Sequence, residues 1–386
     1  MHVLIIASWY KKNANEINAP FIEEQARMLM HSGLKMGVFY PYFTGGFKER
    51  LKKIKTVKGH YIDNGLSTWF YGESSVVPYF RRIIYTHICH HSEKIFLEYI
   101  KENGKPDILH AHSVFMGGVV ANYLSKKYNI PYVITEHASK LITEFEIQNK
   151  SDIRYVKEIL KDANKVIFVS HFQANEMIKK YKLPLLQKII IPNSLNPIFK
   201  YYPFPEKINP IIIVITGSLT INKNHQLLFE AIKSLKADGV ICFLKIIGNG
   251  EEKQFLENFV KKNDLQKYIS FLGTLSRQEV YNELKNSHCL ISVSKFETFG
   301  INIIESLAVG RPVIATHSGG SSEIINSENG ILLNSFEIDE LADAIKYLMN
   351  NYNKYNQQKI SEECQKKYSE KLVIDKLIEN YKEAIE

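Results

Sequence analysis

Short β-branched runs alternate with amphipathic stretches along the whole 386-residue chain, and that alternation leaves few folds open. In the first half the runs cover residues 2–8, 35–40, 108–111, 132–135, 165–169 and 188–191. In the second half they cover 211–217, 242–247, 269–272, 289–293 and 312–315. Strands that alternate with helical stretches form parallel sheets joined by crossover helices. Two such sets predict an α/β chain of two Rossmann-like domains, and the length also exceeds what one ordinary core holds. Pro197, Pro203, Pro205 and Pro210 interrupt the periodicity between the sets, so the boundary is expected within 196–210. That gives a first domain over 1–195 and a second over 196–368. Open α/β sheets take ligands beyond the carboxyl ends of their strands. Two facing domains would therefore bring their strand-end loops across one cleft.

Composition excludes several classes. Hydrophobic residues make up 45% of the chain, ordinary for a soluble globular protein. No apolar run approaches the roughly 18 residues of a spanning helix. Val3-Leu-Ile-Ile-Ala7 reads as a first strand rather than a signal peptide. Cys89, Cys242, Cys289 and Cys364 form no C-x-x-C pair, which suits a reducing, cytoplasmic compartment and neither a disulfide framework nor zinc. Residues 1–200 carry 28 Lys/Arg against 17 Asp/Glu, whereas residues 201–386 carry 21 against 24. Lys48, Arg50, Lys52, Lys53, Lys55 and Lys58 cluster, with Arg81 and Arg82 further on. Such a basic half suits an anionic membrane surface as a peripheral partner, with Phe43, Phe47 or Tyr79 as exposed aromatics. A solvated lysine face is the alternative. No helix-turn-helix, RNP or zinc-finger pattern points to nucleic acid.

The densest chemistry lies between Ser294 and Gly320. Glu297 falls in a turn that ends at Gly300, and Glu305 falls within the apolar periodicity of Ile301, Ile304, Leu307 and Ala308, which predicts a helix. Thr298, Asn302 and Glu305 would form a polar stripe, costly to bury without partners. Eight helical steps correspond to roughly 10 Å, too far for the carboxylate pair of a retaining glycosidase at about 5–5.5 Å. The spacing suits one extended ligand touched at both ends, with phosphate at the helix N-terminus between them. A nucleotide-sugar has that layout. An amphipathic helix with two solvated glutamates fits these residues alone equally well.

The segment resembles the E-x7-E motif of retaining GT-B glycosyltransferases of family 4. The similarity runs on through Gly310-Arg-Pro-Val-Ile-Ala-Thr, Gly319-Gly320-Ser-Ser-Glu-Ile and Asn329-Gly330-Ile-Leu, and back through Ile246-Ile-Gly-Asn-Gly250 and Phe271-Leu-Gly-Thr274. The first half matches more loosely. The resemblance implies the GT-B architecture, with a closing helix at about 369–386 packed on the first domain. It implies that Glu305 binds ribose hydroxyls, that Glu297 holds the donor sugar, and that Lys223 with the Thr298, Phe299, Gly300 and Ile301 amides stabilises the diphosphate. Gly248 would lie near the donor, the backbone at Leu275 would meet the nucleobase, and His137 would reach the donor sugar. The Ser276-to-Glu279 spacing is also a capping box in its own right.

Two positions depart from the family pattern. Ser218 stands where an arginine is common, and Ala19-Pro20 stands where glycine is common. His110, His112 and His137 near one sheet edge could be read as a metal site, but structural or acceptor-side roles suit them better. Asn193 reads as a linker turn. Glu144-Phe-Glu146 is the one such acidic pair in the first domain, and no D-x-D occurs, which argues against a metal-dependent transferase with clustered carboxylates. The resulting expectation is a retaining, metal-independent hexosyltransferase with no metal and no cofactor beyond its donor, a UDP-sugar. It would act on a glycan acceptor, lipid-linked, in bacterial surface polysaccharide synthesis. Two other readings stay open: a non-catalytic partner subunit with this fold, or another GT-B enzyme such as a nucleotide-sugar epimerase.

Overall fold

The computed structural model describes residues 1–16, 18–44, 55–74, 81–137, 141–142, 150–184, 188–203 and 210–386. The chain forms two compact units, Met1–Pro192 with Val373–Glu386, and Asn193–Leu372. The first unit runs β1 (His2–Ala7), α1 (Pro20–His31), β2 (Lys35–Thr44), β3 (Lys55–Asp63), β4 (Leu66–Ser74), α2 (Arg81–Asn103), β5 (Ile108–His112), α3 (Val119–Tyr128), β6 (Tyr132–Glu136), α4 (Lys150–Asp162), β7 (Lys165–Phe168), α5 (His171–Tyr181) and β8 (Lys188–Ile190). The second runs β9 (Ile211–Thr216), α6 (His225–Ala237), β10 (Cys242–Ile247), α7 (Lys253–Lys262), β11 (Ile269–Gly273), α8 (Arg277–Lys285), β12 (Cys289–Ser292), α9 (Ile301–Ala308), β13 (Val313–Thr316), β14 (Gly330–Leu333), α10 (Ile338–Asn351) and α11 (Gln357–Tyr368). Helix α12 (Glu370–Ile385) closes the chain.

The first sheet has eight strands in the order β3-β4-β2-β1-β5-β6-β7-β8. Its strands pair in parallel except at the β3–β4 edge. Every residue of β1 is buried, as a central strand covered on both faces requires. The apolar face of α12 packs into the same core, where Val373, Leu377 and Tyr381 meet Val3, Ile5 and Ile22. That four-residue spacing keeps one helical face inward.

The β3–β4 hairpin lies outside the strands expected from periodicity. Its turn is Asn64-Gly65 with φ of 47° and 82°, and Asp63 pairs with Leu66 across it. Two positive φ values make a type I′ connection, for which Asn-Gly is the strongest sequence signal. The lysines at 55 and 58 mask a strand that lies on the sheet edge, where charge is tolerated and guards against edge-to-edge pairing. Strand β2 also runs past residue 40 through Pro41. By then β1 no longer pairs with it, since their register ends at Ile6 with Phe39, so proline's missing N–H removes no ladder bond on that side.

The second sheet has six strands, all parallel, in the order β11-β10-β9-β12-β13-β14. Strand β14 is a further addition to the expected set. The order reverses between β9 and β12, and this is where an open α/β sheet leaves a crevice at its carboxyl edge. All four cysteines are buried and unbridged. Burial pushes the thiols of Cys89, Cys242 and Cys364 up to about 12, so they are not reactive thiolates.

Candidate active site

Four strand-end loops meet at the carboxyl edge of the second sheet. Glycine lets two of them touch. Gly248 has φ 140°, and a Cβ there would sit 1.8 Å from the Gly217 carbonyl oxygen; one on Gly250 would sit 2.3 Å from the Leu219 carbonyl oxygen. The backbone amide of Leu219 donates to the Asn249 carbonyl at 3.0 Å. The loop after β9 is also tied to the loop after β12. Lys295 N–H donates to the Asn222 carbonyl at 2.8 Å, and Asn222 Nδ2 donates to the Phe296 carbonyl at 2.9 Å. The loop after β13 closes the set, with Glu297 N–H donating to the Ser318 carbonyl and Gly320 N–H to the Glu297 carbonyl, both at 2.8 Å.

These ties fix a charge pair at the switch point. Lys223 Nζ lies 2.6 Å from Glu297 Oε2. Lys223 belongs to a 3-10 turn, Ile221–Lys223, just ahead of α6 rather than within that helix. Its neighbour His225 opens α6, and both its ring nitrogens are buried without a hydrogen-bond partner. Burial, then the charge of Lys223, pushes the His225 imidazole down to about 4, so it is neutral at physiological pH. Ser218 is exposed beside this turn.

Helix α9 begins at Ile301, with Gly300 in the left-handed region at φ 109°. Four of the eight steps between the glutamates are therefore not helical, and the roughly 10 Å expected from helical rise does not carry over. Thr298 lies before the helix, buried, rather than on its polar stripe. Asn302 is on the helix and donates from Nδ2 to the Thr216 carbonyl at 3.1 Å, which pins α9 to the end of β9. The buried Phe299 ring packs edge-on against Tyr368 at 5.7 Å. Ile301 is half-buried, and its amide is among the first-turn N–H groups that have no acceptor within a helix.

Glu305 does not stand alone. Its side chain is only 5% exposed, and Oε1 receives Arg277 Nη1 at 2.5 Å. A carboxylate buried that deeply needs a charged partner. Arg277 is the first residue of α8, behind the Ser276–Glu279 capping box, and its guanidinium lies 5.9 Å from the Phe199 ring. Arg277 is absent from the residues expected at the site. Its signal in the sequence is that a cation in a helix's first turn is disfavoured and calls for an anionic partner. Leu275, half-buried, precedes the box.

In the first unit, the strand-end histidines cluster, with His110 and His112 buried and His137 half-buried. His110 uses both nitrogens, Nε2 with Thr135 Oγ1 at 2.7 Å and Nδ1 with Tyr381 OH at 2.6 Å. His112 Nδ1 and His137 Nε2 are 3.0 Å apart, with the rings stacked. The Phe21 ring lies 4.8 Å from His137. Burial pushes His110 and His137 down to about 3 and His112 well below its ordinary value. With both nitrogens engaged, His110 has none left for a metal, and burial keeps all three rings neutral. Glu136, wholly buried, accepts from Ser113 Oγ at 2.7 Å, Val114 N–H at 2.9 Å and His137 N–H at 2.8 Å. Glu144 and Glu146 lie outside the described residues, as do Lys48, Arg50, Lys52, Lys53, Phe47 and Tyr79. Phe43 is half-buried. Asn193, buried, opens the second unit.

A parallel α/β sheet that sets a lysine, paired acids and a helix N-terminus at its switch point defines a class of site suited to phosphate-bearing ligands. Comparison with known proteins narrows the class. The family model "Glycosyl transferases group 1" matches residues 202–366, and "Glycosyltransferase Family 4" matches residues 21–197. The chain is a glycosyltransferase of family 4 with the GT-B fold. An uncharacterized glycosyltransferase of Methanocaldococcus jannaschii is 28% identical over 335 residues, covering 84% of this chain and 90% of that one. Among solved structures, sucrose-phosphate synthase from Thermosynechococcus elongatus has a TM-score of 0.80 at 17% identity, covering 99% and 98% of the two chains. HepE of Anabaena, solved in complex with UDP-glucose, has a TM-score of 0.73 at 15% identity, covering 98% and 99%.

Proposed function

We propose that this glycosyltransferase is a retaining, metal-independent hexosyltransferase that moves a sugar from a UDP-sugar to a lipid-linked glycan acceptor in bacterial surface polysaccharide synthesis. The observation that carries the donor assignment is the Lys223–Glu297 pair across the two loops at the switch point. A cation held there by a carboxylate is positioned before any ligand arrives, and it can exchange that partner for a diphosphate. The released Glu297 carboxylate is then free to accept from sugar hydroxyls. The α9 amides add a second source of positive potential. Glu305, steadied by Arg277, is the acceptor for ribose hydroxyls. The UDP-glucose complex of HepE supports a uridine donor.

In the reaction, the bond from the anomeric carbon to the diphosphate oxygen breaks, and an acceptor hydroxyl bonds to that carbon from the same face. The hydroxyl proton passes to the departing phosphate, so the chain need supply no nucleophile. Lys223 and the α9 amides stabilise the negative charge that builds on the leaving group. The basic bias of residues 1–200 supports an acceptor held at an anionic membrane.

The test is the anomeric configuration of the product, read by NMR on protein supplied with UDP-sugars and glycan-lipid acceptors in excess EDTA. An α-linked donor giving an α-linked product, with activity kept in EDTA, supports the reading. An inverted product or epimerised donor overturns it, as does activity that EDTA abolishes.

A further inference from the structure

Away from the strand-end loops, one cluster in the first unit has no part in the donor chemistry. His87 and His91 lie one helical turn apart on α2, so their imidazoles share a face. Glu73, near the end of β4, faces them with a side chain only 4% exposed. Glu73 Oε1 is 2.9 Å from His87 Nε2, and the two histidine rings lie 4.4 Å apart. One ligand atom from each residue falls within 4.8 Å of the other two.

We propose that Glu73, His87 and His91 bind a zinc ion that staples α2 to β4. The donor set is the reason. Two imidazoles and a carboxylate are borderline ligands that suit zinc, at about 2.0–2.2 Å each, and three protein ligands leave a fourth position for water. The approach is open, because the His87 side chain is half exposed. Supporting contacts hold the ligands in place. Tyr71 OH donates to Glu73 Oε2 at 3.1 Å and stacks its ring on His91 at 5.4 Å with an interplanar angle of 1°. Such outer contacts orient ligands toward a metal. The histidines at 110, 112 and 137 lack this arrangement, since both nitrogens of His110 are already bonded.

The site is separate from the proposed transferase chemistry, so its test does not read turnover. Full-length protein, stripped with chelator, is titrated with zinc against a chromophoric competitor, and cobalt is added in parallel for its visible spectrum. One zinc per chain, a raised unfolding temperature and ligand-field bands from bound cobalt are expected. His87→Ala removes an exposed side chain and should fold normally, yet lose the cobalt bands and the thermal shift. Tyr71→Phe should weaken zinc about tenfold. If His87→Ala binds zinc as tightly as the unmodified protein, the cluster is an ordinary histidine–carboxylate contact. Failure of the unmodified protein to bind zinc would overturn the site equally.

Discussion

Glu305 shows how much one residue's surroundings change its meaning. In the sequence it is an acid on a helix; in the structure it is a buried acid fastened to Arg277. If Glu305 takes the proposed place at the ribose, the pair with Arg277 holds it in a fixed position there. Replacing it with glutamine keeps the shape and removes the charge. Glu305→Gln should weaken UDP binding by about 1.5–3 kcal/mol, the worth of a hydrogen bond to a charged group. Isothermal titration with UDP reads this directly, and unchanged affinity would remove Glu305 from the donor site. The pairing of Lys223 with Glu297 is less legible. Seventy-four positions separate them in sequence, and only the parallel order of β9 and β12 brings their loops together. Local pattern identifies each residue as polar near a strand end, but partner choice is set by topology.

At the scale of elements, the strongly periodic segments are readable and the marginal ones are not. Strand β1 and helix α9 carry dense apolar patterns, whereas β3 is a lysine-bearing edge strand and β14 spans only Gly330–Leu333. The Asn64-Gly65 turn is the cue that marks the hairpin in the sequence. Helix α12 illustrates a contact that no local pattern reveals, since Tyr381 reaches His110 from 271 positions away. Tyr381→Phe should leave His110 Nδ1 unpaired inside the core and cost about 1–3 kcal/mol in denaturant unfolding. A loss within experimental error would show that the bond contributes nothing net.

The same histidines set a pH dependence. In the unfolded chain they take up protons below their ordinary value of 6.5, whereas folded His110 and His137 do so only near 3. Their contribution is therefore complete above pH 6.5 and is lost as the solution is acidified toward the folded values. Each can add a slope of up to about 1.4 kcal/mol per pH unit across that window. The unfolding free energy should therefore be smaller at about pH 5 than at about pH 7.5, and a flat profile would mean these rings are protonated in the fold.

For the whole molecule, the two α/β units and their family follow from patterns that span the chain, while acceptor and membrane roles rest on charge. Among the described residues no helix is long and apolar enough to cross a membrane. Lys58, exposed, pairs with Glu98 at 3.2 Å, and much of the basic segment lies outside the described residues. If that segment docks on anionic lipid, binding to phosphatidylglycerol vesicles should weaken as salt shortens the screening length below about 10 Å. Changing Lys52, Lys53 and Lys55 to Glu should abolish it. Vesicle binding that ignores both salt and these changes would assign attachment to something other than charge.

The donor site itself is tested most directly by measuring UDP affinity and turnover together for Lys223→Ala and Glu297→Ala. If Lys223 holds the diphosphate and Glu297 the sugar, Lys223→Ala should lose UDP affinity by at least about tenfold, as for a charge-assisted contact. Glu297→Ala should bind UDP no more weakly than the unmodified protein, because its lysine is freed, and yet lose turnover. UDP affinity unchanged in Lys223→Ala, or the same loss of affinity in both variants, would contradict a diphosphate site at this switch point.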